Sequence, residues 1–170
     1  LDDLTPAARL IGAVNAISRD DQGRLIGDNT DGAGAIAALT LGVGDTPPLL
    51  DSLDGLSVLL VGAGGAGRAV AVALADAIGD GFMVVMSRTP AHAEEVAKLA
   101  RARHPRVTSA ILQTLAARIA GVDLLINCTS CGQTGLRTSD AGTLVTLEPY
   151  TPLADVSPAG VVAAASDVET

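Results

Sequence analysis

The chain has 170 residues, a formal net charge of −8 and a hydrophobic fraction of 48%, most of it Ala, Val, Leu and Ile. That length holds one full domain, or one domain and part of another, and the acidic balance argues against a nucleic-acid partner. No apolar run reaches the roughly 18–20 residues of a bilayer span, and the opening LDDLTPAARL lacks the basic and apolar regions of a signal peptide, so neither a membrane nor a secretory route is expected.

In chain order, residues 12–29 read as two short strands around the turn Asp20-Asp21-Gln22-Gly23. Residues 30–42, TDGAGAIAALTLG, read as a helix of small residues closed by Gly42, and VGDTPPLLDSLDG as a Pro- and Asp-rich linker. From Leu56 the rhythm becomes strand, helix, strand. LSVLLVG is a continuous apolar strand of the kind a doubly covered parallel sheet buries. Residues 66–78 read as a helix stopped by Gly79 and Gly81, FMVVM as a second buried strand, and residues 91–103 as a helix with acidic residues early and basic residues late, which suits the helix dipole. RVTSA reads as a third short strand, residues 111–120 as a helix, and VDLLINCT as the next strand, ending in a Gly-containing loop. This β-α-β-α-β-α-β order predicts an α/β class domain, a Rossmann-like doubly wound parallel sheet.

The segment VLLVGAGGAGRAVAVALADA clusters glycines between an apolar strand and a helix. Gly62, Gly64 and Gly67 match G-x-G-x-x-G, with Ala63, Gly65 and Ala66 between them. The first glycine permits the tight turn, the second admits a pyrophosphate close to the backbone, and the third lets helix and strand pack. Free N–H groups and a partial positive charge at the helix N-terminus complete the expected phosphate site. The bland alternative is a glycine-rich turn with no ligand. About 20 residues further on, an NAD enzyme usually carries Asp or Glu for the ribose 2′-hydroxyl. This chain carries Ser87-Arg88-Thr89, with no carboxylate to repel a 2′-phosphate and a guanidinium able to clamp it, so NADP is expected over NAD. His92, one helical turn later, offers a second contact or is simply a surface residue.

Three stretches together, GAVNAI, GDNTDGAG and VGAGGAGRAV, resemble the shikimate dehydrogenase family with its quinate/shikimate relatives. SRTPAHAEEVA and DLLINCTSCG resemble two further family segments, and all occur in family order over residues 11–135. The resemblance implies a reversible, NADP-dependent reduction of 3-dehydroshikimate to shikimate. It implies that Asp31 works beside a lysine at the hydroxyl that exchanges hydride, that Asn15, with Thr30 near it, binds the substrate's hydroxyls, and that Thr129 and Ser130 lie near the nicotinamide-side ribose. The chemistry is coherent: reducing a ketone needs a positioned hydride and a proton donor at the carbonyl oxygen. Read without the family, Asp31 and Thr30 would be helix-cap residues and Asn15 a turn residue.

The resemblance divides the chain into the end of a substrate-binding domain with a linking helix (1–44), a linker (45–55) and an NADP-binding domain (56–170). It implies a small hydroxy-acid substrate, a cytoplasmic enzyme of aromatic amino-acid biosynthesis, and room for a homodimer; the two cysteines without a signal segment also suit a reducing cytoplasm. The family's lysine-bearing segment has no counterpart here, since the single lysine, Lys98, lies in a helix of the nucleotide domain. The chain does not begin with Met, so its true N-terminus is expected upstream, and the chain as it stands is expected to bind dinucleotide without turning substrate over. Gln133 stands where many relatives carry Met, and PLADVS is read as a last strand. Cys128 and Cys131 form C-x-x-C, but zinc would need two more ligands and a redox pair would need the start of a helix, so both are read as strand-end and loop residues. Two other readings stay open: a dinucleotide-binding module without catalysis, and a methylenetetrahydrofolate dehydrogenase-like enzyme, against which NTDG argues.

Overall fold

A computed structural model describes residues 1–131, 135–138 and 144–147. Gly132, Gln133 and the PLADVS segment lie outside the described residues.

The chain opens with a strand that the amino-acid pattern does not announce, β1 (Asp3–Leu4), and a one-and-a-half-turn helix, α1 (Pro6–Ile11). Thr5 caps α1, its hydroxyl accepting the Ala8 N–H at 3.2 Å, and Pro6 takes the first helical position, where a missing N–H costs nothing. β2 (Ala16–Arg19) and β3 (Leu25–Asp28) form the expected hairpin, and β1 joins β3 in parallel, giving the order β1-β3-β2. The turn is held by Asp20, whose carboxylate accepts the N–H groups of Gln22 and Arg24 at 2.9 Å each.

Helix α2 (Asp31–Thr40) follows directly. It lies against α3 (Gly65–Ala77), and the approach is close because Gly32 carries no side chain: a Cβ there would sit 2.5 Å from the Ala69 carbonyl oxygen. The Pro-rich segment after α2 is packed rather than loose. Leu49 and Leu50 both donate to the Leu39 carbonyl at 3.0 Å, and Leu53 is buried in the main core.

The second sheet is wholly parallel, with β4 (Ser57–Val61), β5 (Phe82–Ser87), β6 (Val107–Ile111) and β7 (Leu124–Asn127) in the order β6-β5-β4-β7. Every residue of β4 after Ser57 is buried, and its side chains alternate between two cores. Val58 and Leu60 face the layer of α2, α3 and α4 (Pro90–Arg101). Leu59 and Val61 face the opposite layer, where Leu115 of the short helix α5 (Leu115–Arg118) packs. This is the expected doubly wound arrangement, covered on both faces. Backbone residues Gly135–Thr138 and Leu144–Leu147 add an antiparallel pair, β8 and β9.

Two local expectations are corrected. The helix read over 111–120 is only one turn of α-helix between two 3₁₀ turns, and β6 extends to Ile111. In α4 no acidic residue occupies the first turn. Glu94 instead pairs with Arg101 at 3.1 Å and accepts the Ser109 hydroxyl of β6 at 2.7 Å, so this carboxylate ties helix to strand rather than answering the dipole.

Candidate functional site

Strand β4 is the first of the parallel sheet; the chain proceeds from it to β5 and β6 on one side and returns to β7 on the other. The point between β4 and β7 is where the direction of winding reverses, and ligands of such sheets bind there, beyond the carboxyl ends of the strands. The glycine loop sits at that point. Gly62 has φ +117°, a conformation side chains rarely adopt, and a Cβ there would lie 2.8 Å from both the carbonyl carbon and oxygen of Cys128. Gly67, inside α3, passes so close to the loop that a Cβ would meet the Gly62 carbonyl oxygen at 2.2 Å. Gly64 differs: a Cβ there would meet nothing within 4 Å, because its open side faces the cleft. No side chain caps the N-terminus of α3, so its first N–H groups are directed toward that same space.

The cleft measures about 520 Å³ and is lined by Val61 to Gly64, Ser87 to Thr89, His92, Leu112 and Cys128 to Cys131. Most of the sequence-predicted cofactor residues therefore converge: Gly62, Ala63, Gly64, Ser87, Arg88, Thr89, Thr129 and Ser130 all border it. Gly65, Ala66 and Gly67 form the base as the first turn of α3. Arg88 is exposed and forms no ion pair or hydrogen bond with any described residue, leaving its guanidinium available to a ligand. Ser87 receives the Thr89 N–H on its hydroxyl at 3.3 Å, which rounds the turn into α4.

Sequence reasoning passed over Asn127, which organises the opposite wall. Its side-chain oxygen accepts the Thr129 N–H at 3.0 Å and the Thr129 hydroxyl at 2.6 Å, while its amide donates to the Cys131 carbonyl at 3.0 Å. The Thr129 hydroxyl in turn accepts the Cys131 N–H at 3.1 Å. Leu112 was also missed, being a lone apolar residue at the end of a strand. Burial pushes the Cys128 thiol up to about 11, and the nearby Asp31 carboxylate adds to the rise.

Asn15, Thr30 and Asp31 come together as a polar cluster. The Asn15 amide donates to the Asp31 carboxylate at 2.5 Å and to the Thr30 hydroxyl at 3.2 Å, and its oxygen accepts the Thr30 N–H at 3.0 Å. Thr30 is the N-cap of α2 by position, yet its side chain makes no capping bond, so neither it nor Asp31 is spent on the helix end. Beneath them Asn29, buried, donates to the Ala13 carbonyl at 3.2 Å and accepts the Asp31 N–H at 3.2 Å. Its place inside NTDG was the one signal that could have singled it out.

Two contacts join the cluster to the glycine loop. Arg68 of α3 donates from Nε to the Ile11 carbonyl at 2.6 Å, capping the end of α1. A Cβ on Gly65 would lie 3.2 Å from that of Ala13. The segment 11–15 that carries Asn15 is thus built onto the start of the same helix that faces the cleft. Lys98 lies on α4, exposed, and is not part of the cluster.

A doubly wound parallel sheet with a glycine cradle at its switch point defines a Rossmann-like α/β domain. The chain belongs to the shikimate / quinate 5-dehydrogenase family, which matches residues 48–157. A shikimate dehydrogenase (NADP(+)) of Methylobacterium radiotolerans is 44% identical over 135 residues, 79% of this chain and 45% of that protein. A solved shikimate dehydrogenase in complex with NADP+ is 35% identical with a TM-score of 0.59, over 76% of this chain and 42% of the other. A quinate dehydrogenase from Corynebacterium glutamicum in complex with NAD is 29% identical with a TM-score of 0.60, over 84% and 46%. The chain spans less than half the length of these relatives.

Proposed function

We propose that this chain is the cofactor-binding part of an NADP-dependent oxidoreductase of shikimate dehydrogenase type, interconverting 3-dehydroshikimate and shikimate in the cytoplasm. In this reading residues 1–44 close a substrate-binding domain, 45–55 connect, and 56–170 bind the cofactor. The observation that carries it is the adjacency of two sites: the segment that leads to Asn15 is seated on the start of α3, Arg68 donating to the Ile11 carbonyl at 2.6 Å and a Cβ on Gly65 falling 3.2 Å from that of Ala13, and the loop that opens the same helix lines the cleft.

The residues present fit a dinucleotide. Backbone crowding excludes a Cβ at Gly62 and Gly67, whereas the space at Gly64 is open. Those glycines and the N-terminus of α3 would hold the pyrophosphate, Thr129 and Ser130 the nicotinamide side, and Arg88 a 2′-phosphate. When bound, the nicotinamide supplies or accepts a hydride. Asn15 and Thr30 would orient the substrate's hydroxyls. Asp31, held by Asn15 and by the Asn29 contact to its backbone, would stabilise and relay the proton at the reacting oxygen. The matching NADP-named relatives support the cofactor assignment, while the NAD-bound quinate enzyme makes Arg88 the position to test.

The test is a titration of the chain with NADPH and NADH, read by the reduced nicotinamide's fluorescence, with Arg88→Ala alongside. Saturable binding favouring NADPH, with that preference lost in the variant, is expected. Equal weakening of both cofactors by Arg88→Ala would overturn the 2′-phosphate assignment. Absence of binding by the folded chain would overturn the cofactor reading.

A further inference from the structure

We propose that Cys128 and Cys131 form a thiol switch in the cleft wall: closed into a disulfide they loosen its hold on the dinucleotide, and reduced they restore it; the binding half of this inference rests on the cofactor reading above. The two are the only cysteines in the chain, neither is engaged in a disulfide, and both line the cleft. They stand three residues apart, and the backbone bends at both Thr129 and Ser130 between them. A tight turn of this span brings its end Cα atoms to within about 7 Å, and disulfides bridge Cα atoms about 4.4–6.8 Å apart. A catalytic thiol pair needs a helix N-terminus to activate one sulfur, whereas a pair that only has to close needs a bend.

The two sulfurs have different settings. Cys128 follows β7 directly, its N–H donating to the Val61 carbonyl at 2.7 Å, and it packs against the main core, where burial holds its thiol up at about 11. Cys131 stands on the loop, partly exposed, and is tied down by two hydrogen bonds: its N–H donates to the Thr129 hydroxyl at 3.1 Å, and its carbonyl accepts the Asn127 amide at 3.0 Å. Cys131 is therefore the sulfur that reacts first. Its thiolate attacks one sulfur of a small-molecule disulfide, expels a thiolate and leaves a mixed disulfide on Cys131. Cys128, once deprotonated, attacks the Cys131 Sγ, expels the second thiolate and closes the ring. Two cysteine thiols are oxidised, one small-molecule disulfide is reduced to two thiols, and the cysteine protons pass to the departing thiolates. The second step is the slow one, because little Cys128 is thiolate near neutrality. Closure draws Cys131 toward the fixed strand end, and the bonds that yield are its own two, to Thr129 and Asn127. Those residues shape the wall assigned to the nicotinamide side. NADPH must then bind without that wall or rebuild it, and at about fivefold for each hydrogen bond its affinity should fall about five- to thirtyfold.

The experiment treats the 170-residue chain with oxidised glutathione or with dithiothreitol, removes the reagent, and measures free thiols, intact mass and the NADPH Kd for the native protein, Cys131→Ser and Cys128→Ala. The oxidised native chain is expected to lose both thiols and two hydrogens while retaining no glutathione, and to bind NADPH about five- to thirtyfold more weakly, with dithiothreitol restoring the affinity. Cys131→Ser should keep its remaining thiol and a single Kd throughout. Cys128→Ala should retain one glutathione, having no second sulfur to expel it. By linkage, saturating NADPH should shift the native pair's thiol–disulfide equilibrium toward the thiols by the same factor. Two persisting thiols, glutathione retained on the native chain, or a disulfide that leaves the Kd unchanged would each overturn the switch while leaving the cofactor reading intact. Failure of the reduced, folded chain to bind NADPH would overturn the cofactor reading and the control of binding with it, even where the disulfide forms.

Discussion

Gly64 and Gly67 stand three residues apart in the same motif, yet substituting each by alanine should have opposite consequences. At Gly67 alanine would ordinarily help, since it is favoured over glycine inside a helix by about 1 kcal/mol. Here the added Cβ would stand 2.2 Å from the Gly62 carbonyl oxygen, a backbone atom that no side-chain rotation can move. Overpacking of this kind costs up to about 3 kcal/mol, leaving a net loss of about 2 kcal/mol and a Tm lower by about 4–8 °C for a chain of this size. At Gly64 the backbone is extended, with φ −82° and ψ −166°, and the Cβ meets nothing within 4 Å, so Gly64→Ala should leave stability within about 0.5 kcal/mol of native. The methyl group would instead occupy the space proposed for the pyrophosphate. Losing one charge-assisted backbone hydrogen bond costs about 1.5–3 kcal/mol, or about 10- to 150-fold in NADPH Kd. Thermal melts and NADPH titrations of the two variants measure both effects. Native-like NADPH affinity in Gly64→Ala would refute the cradle, and an equal fall in Tm for both variants would refute the division of roles.

Asp31→Asn, placed in a protein that also carries the substrate-binding half, should lower kcat by orders of magnitude with little change in NADPH affinity; full turnover would remove Asp31 from the chemistry. The Ser109 hydroxyl and the Arg101 guanidinium hold the Glu94 carboxyl below its ordinary range. Its stabilising effect is therefore fully present above the ordinary carboxylate range and is lost as pH falls through the lowered native value. The Tm difference between native protein and Glu94→Gln should accordingly be greatest near neutrality and shrink in acid, and a gap that widens in acid would contradict the contacts. With its thiol raised to about 11 by burial and Asp31, Cys128 should resist iodoacetamide at pH 8 in the folded chain. Peptide mapping showing rapid alkylation of Cys128 before unfolding would place it in a more open setting.

Much of the fold was legible because its signals are local. Runs such as LSVLLV and FMVVM are apolar on both faces, which only a covered parallel strand satisfies, and the glycines between strand and helix mark a turn whose backbone demands them. Alternating strands and helices then left few ways to wind the sheet. The opening residues were not legible: β1 has two residues and α1 six, too short for any periodicity to register. The short helix after β6 was over-extended because a composition of Leu, Ala and Arg favours helix, while the chain has only one turn to spare before it must return to β7.

For the site, the amino-acid sequence by itself determined which chemistry is present: a phosphate-compatible turn, a cationic residue at the second strand's end, and an Asn-Thr-Asp set. Only the tertiary structure decided how these meet. Asn15 and Asp31 are 16 positions apart and become hydrogen-bond partners because β2 and β3 pair in antiparallel register, which returns the chain to its starting point. Asn29 and Arg68 act through backbone carbonyls and N–H groups, and Asn127 does so at Thr129 and Cys131 besides accepting the Thr129 hydroxyl; backbone groups are common to nearly all residues and therefore leave little trace in residue identity. The approach of the polar cluster to the cleft depends on α2 lying against α3 at Gly32, a matter of which surfaces pack, and packing is specified by the whole core rather than by any one stretch of the chain.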